Sequence, residues 1–190
     1  MRFGITFDYL CPFARNANEA VLNGLSSGRD WDVEFVPFSL SQTATEEGSP
    51  DVFADTDISG IRALHWGIAA RDTDPEHFPE VHRAIFSLRH DEGRDIGDED
   101  LLRKAVSGAG ADPDQLAEEV ASGRPAETLA RQHTEAVERW AVFGVPTFIH
   151  GEIATFVRLM SRGVVEDVDR VLSMLEWTDL NEFKRTRIPR

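Results

Sequence analysis

Residues 2–13 read Arg-Phe-Gly-Ile-Thr-Phe-Asp-Tyr-Leu-Cys-Pro-Phe, and the fold turns on them. Phe3, Ile5 and Phe7 alternate with Gly4 and Thr6, the period of a β-strand with one buried face. Cys11 and Pro12 follow at once. Pro12 suits the first position of a helix, where its missing N–H costs nothing. Ala14, Ala17, Val21 and Leu25 then recur at helical spacing over residues 12–26, and Gly28 stops them. Alternation returns over residues 31–38, with Trp31, Val33 and Phe35 on one face. The opening is therefore β-α-β, and a right-handed crossover lays its two strands parallel.

Working outward, residues 39–56 are polar and turn-rich and read as an exposed loop. Helical stripes follow. Ile58, Ile61, Leu64 and Ile68 form the first. Asp74-Pro75-Glu76 reads as a cap with proline at a helix start, leading into Phe78, Val81, Ile85 and Leu88. Leu101, Leu102, Ala105 and Val106 make a shorter stripe. Asp112-Pro113 opens a helix with Leu116 and Val120, and Pro125 opens one carrying Leu129, Val137 and Trp140. Residues 146–150 and 153–159 read as strands of a hairpin turning at Gly151. Val164, Val168, Val171, Leu172 and Leu175 form a closing helix, and residues 178–190 a polar, arginine-containing tail. Strands near both ends with helices between imply one α/β domain over residues 1–190. Its sheet-forming parts lie at about 1–40 and 125–177, with a helical insertion at about 55–124.

Composition bounds the function. The chain has 190 residues, 41% hydrophobic and 28% charged, with a mean hydropathy of −0.32, as expected of one folded domain. No run of eighteen apolar residues is present, so no membrane span is expected. The first residues carry no leader-like pattern, and a cytoplasmic location is the expectation. One cysteine excludes an intrachain disulfide and a zinc site built on several cysteines. Thirty-four acids against twenty bases give a net charge of −14, which argues against nucleic acid and anionic membranes as partners. Lys104 and Lys184 are the only lysines, an arginine-rich usage that resembles coding from GC-rich genomes such as those of actinobacteria or halophiles.

Cys11 is the sharpest chemical feature. It lies between a strand and a helix start, where backbone N–H groups and the helix dipole favour thiolate over thiol. Position makes it a candidate nucleophile; the other reading is a small, buried, inert residue. A second feature is Gly144-Val145-Pro146-Thr147-Phe148, in which proline opens a strand. A cis Val145–Pro146 bond there would expose the Val145 backbone to an extended ligand; an ordinary turn is the alternative. The remaining candidates are weaker. His65, His77, His82, His90, His133 and His150 show no metal-ligand spacing. His82 and His133 read as packed or surface residues, the alternative being that either lines the cleft under Cys11 and acts near neutral pH. Gly108-Ala109-Gly110 follows a helical stripe and lacks the third glycine of a dinucleotide loop. Asp8 reads as a cap for nearby backbone, Arg15 as solvent-facing, and Trp31, Trp66, Trp140 and Trp177 as core.

Taken together, Cys11-Pro12-x-x at a helix start and Gly144-Val145-Pro146-Thr147-Phe148 before a hairpin and terminal helix resemble the thioredoxin superfamily. The helical block narrows the resemblance to its DsbA-like branch, over nearly the whole chain. Phe7-Asp8-Tyr9-Leu10-Cys11-Pro12-Phe13 looks like that branch's opening. Phe156-Val157-Arg158-Leu159-Met160 and Asp179-Leu180-Asn181-Glu182-Phe183-Lys184 are similar to cytoplasmic actinobacterial members. The resemblance implies a thioredoxin fold, Cys11 as nucleophile and Pro146 as cis-proline. It also implies that Pro12, Phe13, Val145 and Thr147 contact the substrate.

The departure is Ala14, which stands where the family pattern Cys-x-x-Cys has its second cysteine. A mixed disulfide on Cys11 then needs an external thiol to resolve it. The expectation is a monothiol oxidoreductase with no bound cofactor or metal, using glutathione or mycothiol as co-substrate. Its partner is a thiol or disulfide, on a small molecule or a protein, and a homodimer stays open. Two alternatives remain: an enzyme like glutathione transferase kappa or 2-hydroxychromene-2-carboxylate isomerase, and a redox-inactive binding module.

Overall fold

A computed structural model describes residues 1–46, 48–182 and 185. Chain order is β1 (Arg2–Phe7), α1 (Pro12–Ser26), β2 (Asp32–Pro37), α2 (Leu40–Thr43), α3 (Ser59–Thr73), α4 (Phe78–His90), α5 (Glu99–Gly108), α6 (Pro113–Ala121), α7 (Arg124–Trp140), β3 (Thr147–His150), β4 (Ile153–Phe156) and α8 (Val165–Leu175). The sheet runs β2-β1-β3-β4. β1 and β2 are parallel, with Phe3 opposite Val33 and Ile5 opposite Phe35. β3 joins the other edge of β1 antiparallel, and β4 closes the hairpin. This is the α/β thioredoxin arrangement, with α3 to α6 between its two halves.

Burial explains the register. Phe3, Ile5 and Phe7 are each 2% exposed or less, and a slip of one residue in β1 would exchange all three with Gly4 and Thr6, which are buried on the opposite face. α1 packs on β1, α8 packs on α1 and β4, and α7 lies against β2. α3 is the axis of the helical block and touches α4, α5, α6 and α7. Trp66 at its centre is 1% exposed. Gly67 beside it lets Tyr9 approach; a methyl there would run into the Tyr9 ring and hydroxyl.

Several elements differ from the sequence reading, each for a local reason. Residues 39–56 are not simply an exposed loop. The Ser39 hydroxyl caps α2 by accepting from the Gln42 N–H at 3.0 Å, and Phe53 is buried with its carbonyl on His65. Asp74-Pro75-Glu76 does not start a helix: Asp74 terminates α3, and α4 begins at Phe78 after a turn held by the Asp74 carbonyl. On α7 the buried stripe is Leu129, Gln132, His133 and Ala136, while Val137 is 43% exposed. β4 stops at Phe156 rather than at 159. Of the tryptophans only Trp66 is core; Trp31 and Trp140 are half-buried and Trp177 is exposed. Phe183 and Lys184 lie outside the described residues. Among those described, no helix is long and apolar enough to cross a membrane.

Candidate active site

Cys11 is the N-cap of α1, in extended backbone at φ −97° and ψ 117°. Its sulfur accepts from the Ala14 N–H at 3.4 Å, and its own N–H donates to the Asp8 carbonyl at 3.1 Å. The Asp8 carboxylate holds this turn, accepting from the Leu10 N–H at 2.8 Å and the Leu40 N–H at 2.7 Å. It therefore caps backbone, and in doing so ties the β1–α1 turn to α2. Complete burial pushes its carboxyl up to about 6, against the lowering effect of the two N–H groups.

The other half of the site arrives from the loop before β3. The Val145–Pro146 peptide is cis, and the Cys11 thiol donates to the Val145 carbonyl at 3.4 Å. The Val157 N–H donates to the Pro146 carbonyl at 3.1 Å, which carries the hairpin pairing one residue past β4. Among the described residues the Val145 N–H has no hydrogen-bond partner. Thr147 is differently placed from what the resemblance implied. It is 3% exposed, its N–H donates to the Thr6 hydroxyl and its own hydroxyl donates to the Gly144 carbonyl. Both donors are spent inside the fold, so Thr147 shapes the loop. Pro12 is exposed and Phe13 half-buried at the mouth.

Burial also decides the protonation of the sulfur. Cys11 is 9% exposed, and desolvation raises its thiol above the ordinary value. The N–H groups of Ala14 and Phe13 and the charge of Arg158 pull the other way, while Asp8 adds to the rise. The expected lowering by the helix N-terminus is thus outweighed by desolvation, which penalises the charged form. The resting group is a thiol, the species that donates to Val145.

Behind Cys11 lies a closed polar chain. His82 Nδ1 accepts from the Tyr9 hydroxyl at 2.8 Å, and its Nε2–H donates to Asn18 Oδ1 at 3.1 Å. Asn18 Nδ2 donates in turn to the Ala14 carbonyl at 2.9 Å, in the first turn of α1. The partners fix this tautomer. Tyr9, His82 and Asn18 are all fully buried, and burial lowers His82 to about 3. His90 adds a bond from Nε2–H to the Tyr9 carbonyl at 2.9 Å.

In front the site is open. Phe143 is 67% and Met160 44% exposed, and the Phe143 and Phe156 rings lie 5.1 Å apart. The guanidinium of Arg158 sits over Phe13 and Phe156. Arg15 does not face solvent freely; it is bound to Asp91 at 2.8 Å with its side chain 17% exposed. Asp91 also takes Arg162, which grips Glu19. A shallow cavity of about 360 Å³ lies beside that ion-pair group, lined by Glu19, Arg83, Ser87 and Arg162 and not by Cys11, Val145 or Pro146. That cavity is therefore separate from the Cys11 site.

The family model for the DSBA-like thioredoxin domain matches residues 5–160. The chain belongs to that family. Solved structures agree in fold. The cytosolic disulfide reductase DsbM of Pseudomonas aeruginosa, in a structure with GSH, is 15% identical with a TM-score of 0.67, covering 93% of this chain and 100% of the other. A 2-hydroxychromene-2-carboxylate isomerase is 19% identical with a TM-score of 0.65, covering 96% and 100%. DsbA of Pseudomonas aeruginosa is 20% identical with a TM-score of 0.62, covering 93% and 82%. No curated protein sequence matches the chain.

The sequence reading brought Cys11, Pro12, Phe13, Val145 and Pro146 to one place, and the structure assembles them. It read Asp8 as a backbone cap, which the structure bears out, but missed Tyr9, His82 and Asn18 as a chain supporting α1, and Phe143 and Phe156 as the open wall. Phe143, directly before Gly144-Val145-Pro146, was a usable signal: a large apolar residue in a turn invites the question of what covers it.

Proposed function

We propose that the chain is a thiol–disulfide oxidoreductase that works with one thiol. The observation that carries this reading is the Cys11 sulfur held between the Ala14 N–H and the Val145 carbonyl, with Ala14 where a second cysteine would stand. Cys11 loses its proton to water. The thiolate attacks one sulfur of a disulfide R–S–S–R′, forms Cys11–S–S–R and expels R′S⁻, which takes up a proton. A low-molecular-weight thiol, as its thiolate, then attacks the R sulfur. It leaves as the new mixed disulfide and returns Cys11 as thiolate. The Val145 carbonyl accepts from the thiol but has no such donor once Cys11 is ionised. At that moment both Val145 backbone groups are available to pair with an extended substrate. Pro12 and Phe13 line the approach. A cycle fed by a small thiol belongs in a reducing compartment, and we assign the chain to the cytoplasm on that chemistry.

The test is incubation with oxidised glutathione, followed by intact mass and by turnover with added reduced glutathione. The expected result is a single adduct on Cys11, released by thiol, with Cys11→Ser losing adduct and turnover together. Turnover that survives Cys11→Ser would overturn the reading. One observation favours a second reading: burial raises the Cys11 thiol rather than lowering it. In an enzyme of the isomerase type a bound small thiol would supply the reactive sulfur instead. Activity that needs added thiol and survives Cys11→Ser selects that case. A Cys11 inert to adduct formation in the folded protein selects a binding module.

A further inference from the structure

Arg158 lies two residues beyond the end of β4, where the Val157 N–H to Pro146 bond keeps the backbone paired beside the cis-proline. At the period of a strand, residues 156 and 158 share a face. The Arg158 guanidinium carbon is 5.6 Å from the Phe13 ring centroid and 5.4 Å from that of Phe156. Phe156 is itself buttressed by Phe143. Cation–π attraction to two rings restrains the head group of an exposed residue.

The contrast with neighbouring arginines is direct. Arg15, Arg139 and Arg162 are each committed to carboxylates. Arg158 is exposed and makes no ion pair among the described residues, in a chain with 34 acids and 20 bases. A planar guanidinium with free N–H edges matches a carboxylate in a two-pronged geometry.

We propose that Arg158 reads a carboxylate on the molecule whose sulfur meets Cys11, so that the preferred small co-substrate is a carboxylate-bearing thiol or disulfide rather than a neutral or cationic one. This rests on the Cys11 exchange reading. A net charge of −14 repels small anions at long range, so the preference has to be made at contact by a local cation. A tripeptide thiol with free carboxylates meets the requirement; a neutral sugar-based thiol such as mycothiol gains nothing from Arg158.

The test compares rates of Cys11 alkylation by iodoacetate and by iodoacetamide in the full-length protein. Both reagents report the same thiolate fraction, so their rate ratio cancels any change in Cys11 ionisation and leaves the reading of charge. Arg158→Gln is expected to cut the iodoacetate-to-iodoacetamide ratio about two- to fivefold, the size of one exposed charge–charge contact. Arg158→Lys is expected to keep most of the ratio, because the charge remains and only the fork is lost. The same ordering is expected for an anionic aryl disulfide, 5,5′-dithiobis(2-nitrobenzoate), against neutral 2,2′-dithiodipyridine. A ratio unchanged in Arg158→Gln overturns the proposal and leaves Cys11 exchange intact. A wild-type Cys11 inert to all four reagents overturns the exchange reading, and the proposal with it.

Discussion

The two flanks of Cys11 are built on opposite rules. Toward α4, Tyr9, His82 and Asn18 are buried, every polar atom of their chain has a partner, and the charge that acts on the thiol from inside the fold is Asp8. Toward the hairpin, Phe143, Met160 and Arg158 are exposed, the rings stack loosely, and the charge that acts on the thiol is the exposed cation Arg158. Asp8 raises the thiol and Arg158 lowers it. The closed flank fixes where the sulfur is; the open flank is where another molecule can meet it. Substitutions in the first should therefore read out as stability, and in the second as selectivity.

The strongest way to break that division is at His82. Its ring lies 4.7 to 5.5 Å from Phe7, Tyr9, Phe35, Phe78 and Phe86. His82→Ala opens a cavity among these rings and strips the Tyr9 hydroxyl and Asn18 of a partner. A loss of roughly 3–5 kcal/mol is expected in urea unfolding. His82→Phe restores volume without the bonds and should lose about half as much. Equal losses in the two would mean that packing plays no part and the polar chain alone holds the flank.

Asp8 gives a smaller effect that crosses from one flank to the site. Its folded value of about 6 is above the ordinary 3.8, so its contribution favours the fold below about pH 4 and is lost as pH rises through 6. His82 and His133 run the other way. Their folded values, about 3 and about 4, lie below 6.5, so their contributions are present above pH 6.5 and fade on acidification. For His133 burial is the cause, and its Nδ1 accepts from the Ser39 N–H at 3.1 Å, a bond the protonated ring cannot accept. Between pH 4.5 and 6 Asp8 offsets one histidine. Asp8→Asn removes that offset, and stability should then fall about 1.4 kcal/mol more steeply per pH unit on acidification, as one proton requires. The same variant should shift the midpoint of Cys11 alkylation by iodoacetamide to lower pH, whereas Arg158→Gln should shift it higher. Parallel slopes for wild type and Asp8→Asn would show that Asp8 is ionised well below 6.

How far the sequence announced these flanks follows from what each signal measures. The β1–α1 junction was legible because strand alternation, Pro12 at a helix start and Gly28 at its end report local backbone geometry. Asp112-Pro113 marked α6 for the same reason: the Asp112 carboxylate does cap it. α2 was hidden because four residues capped by one serine leave no periodicity. His82 was hidden differently. It sits among Phe78, Val81, Ile85 and Phe86 on the buried side of α4, yet a polar residue type says nothing about partners 73 and 64 residues away. The position of Cys11 at a helix N-terminus was readable, but its degree of burial is a sum over the β1–α1 turn and the Val145 loop. That sum reversed the direction of its pKa.

Phe143 tests the open flank with the smallest effect on the fold. Its ring is two-thirds exposed, and beyond its approach to Phe156 it has little to lose. Phe143→Ser should change unfolding free energy by no more than about 1 kcal/mol, the scale of one aromatic pair. The functional readout is the exchange rate with an aryl disulfide, 2,2′-dithiodipyridine, relative to an alkyl one, bis(2-hydroxyethyl) disulfide. If the Phe143–Phe156 pair is a face that substrates lie against, the aryl-to-alkyl ratio should fall severalfold. If the pair only buttresses Arg158, the aryl-to-alkyl ratio should hold while the iodoacetate-to-iodoacetamide ratio drops. The two ratios together separate a surface that touches substrate from one that positions the residue that does. A loss of stability comparable to that of His82→Ala would erase the distinction between the flanks altogether.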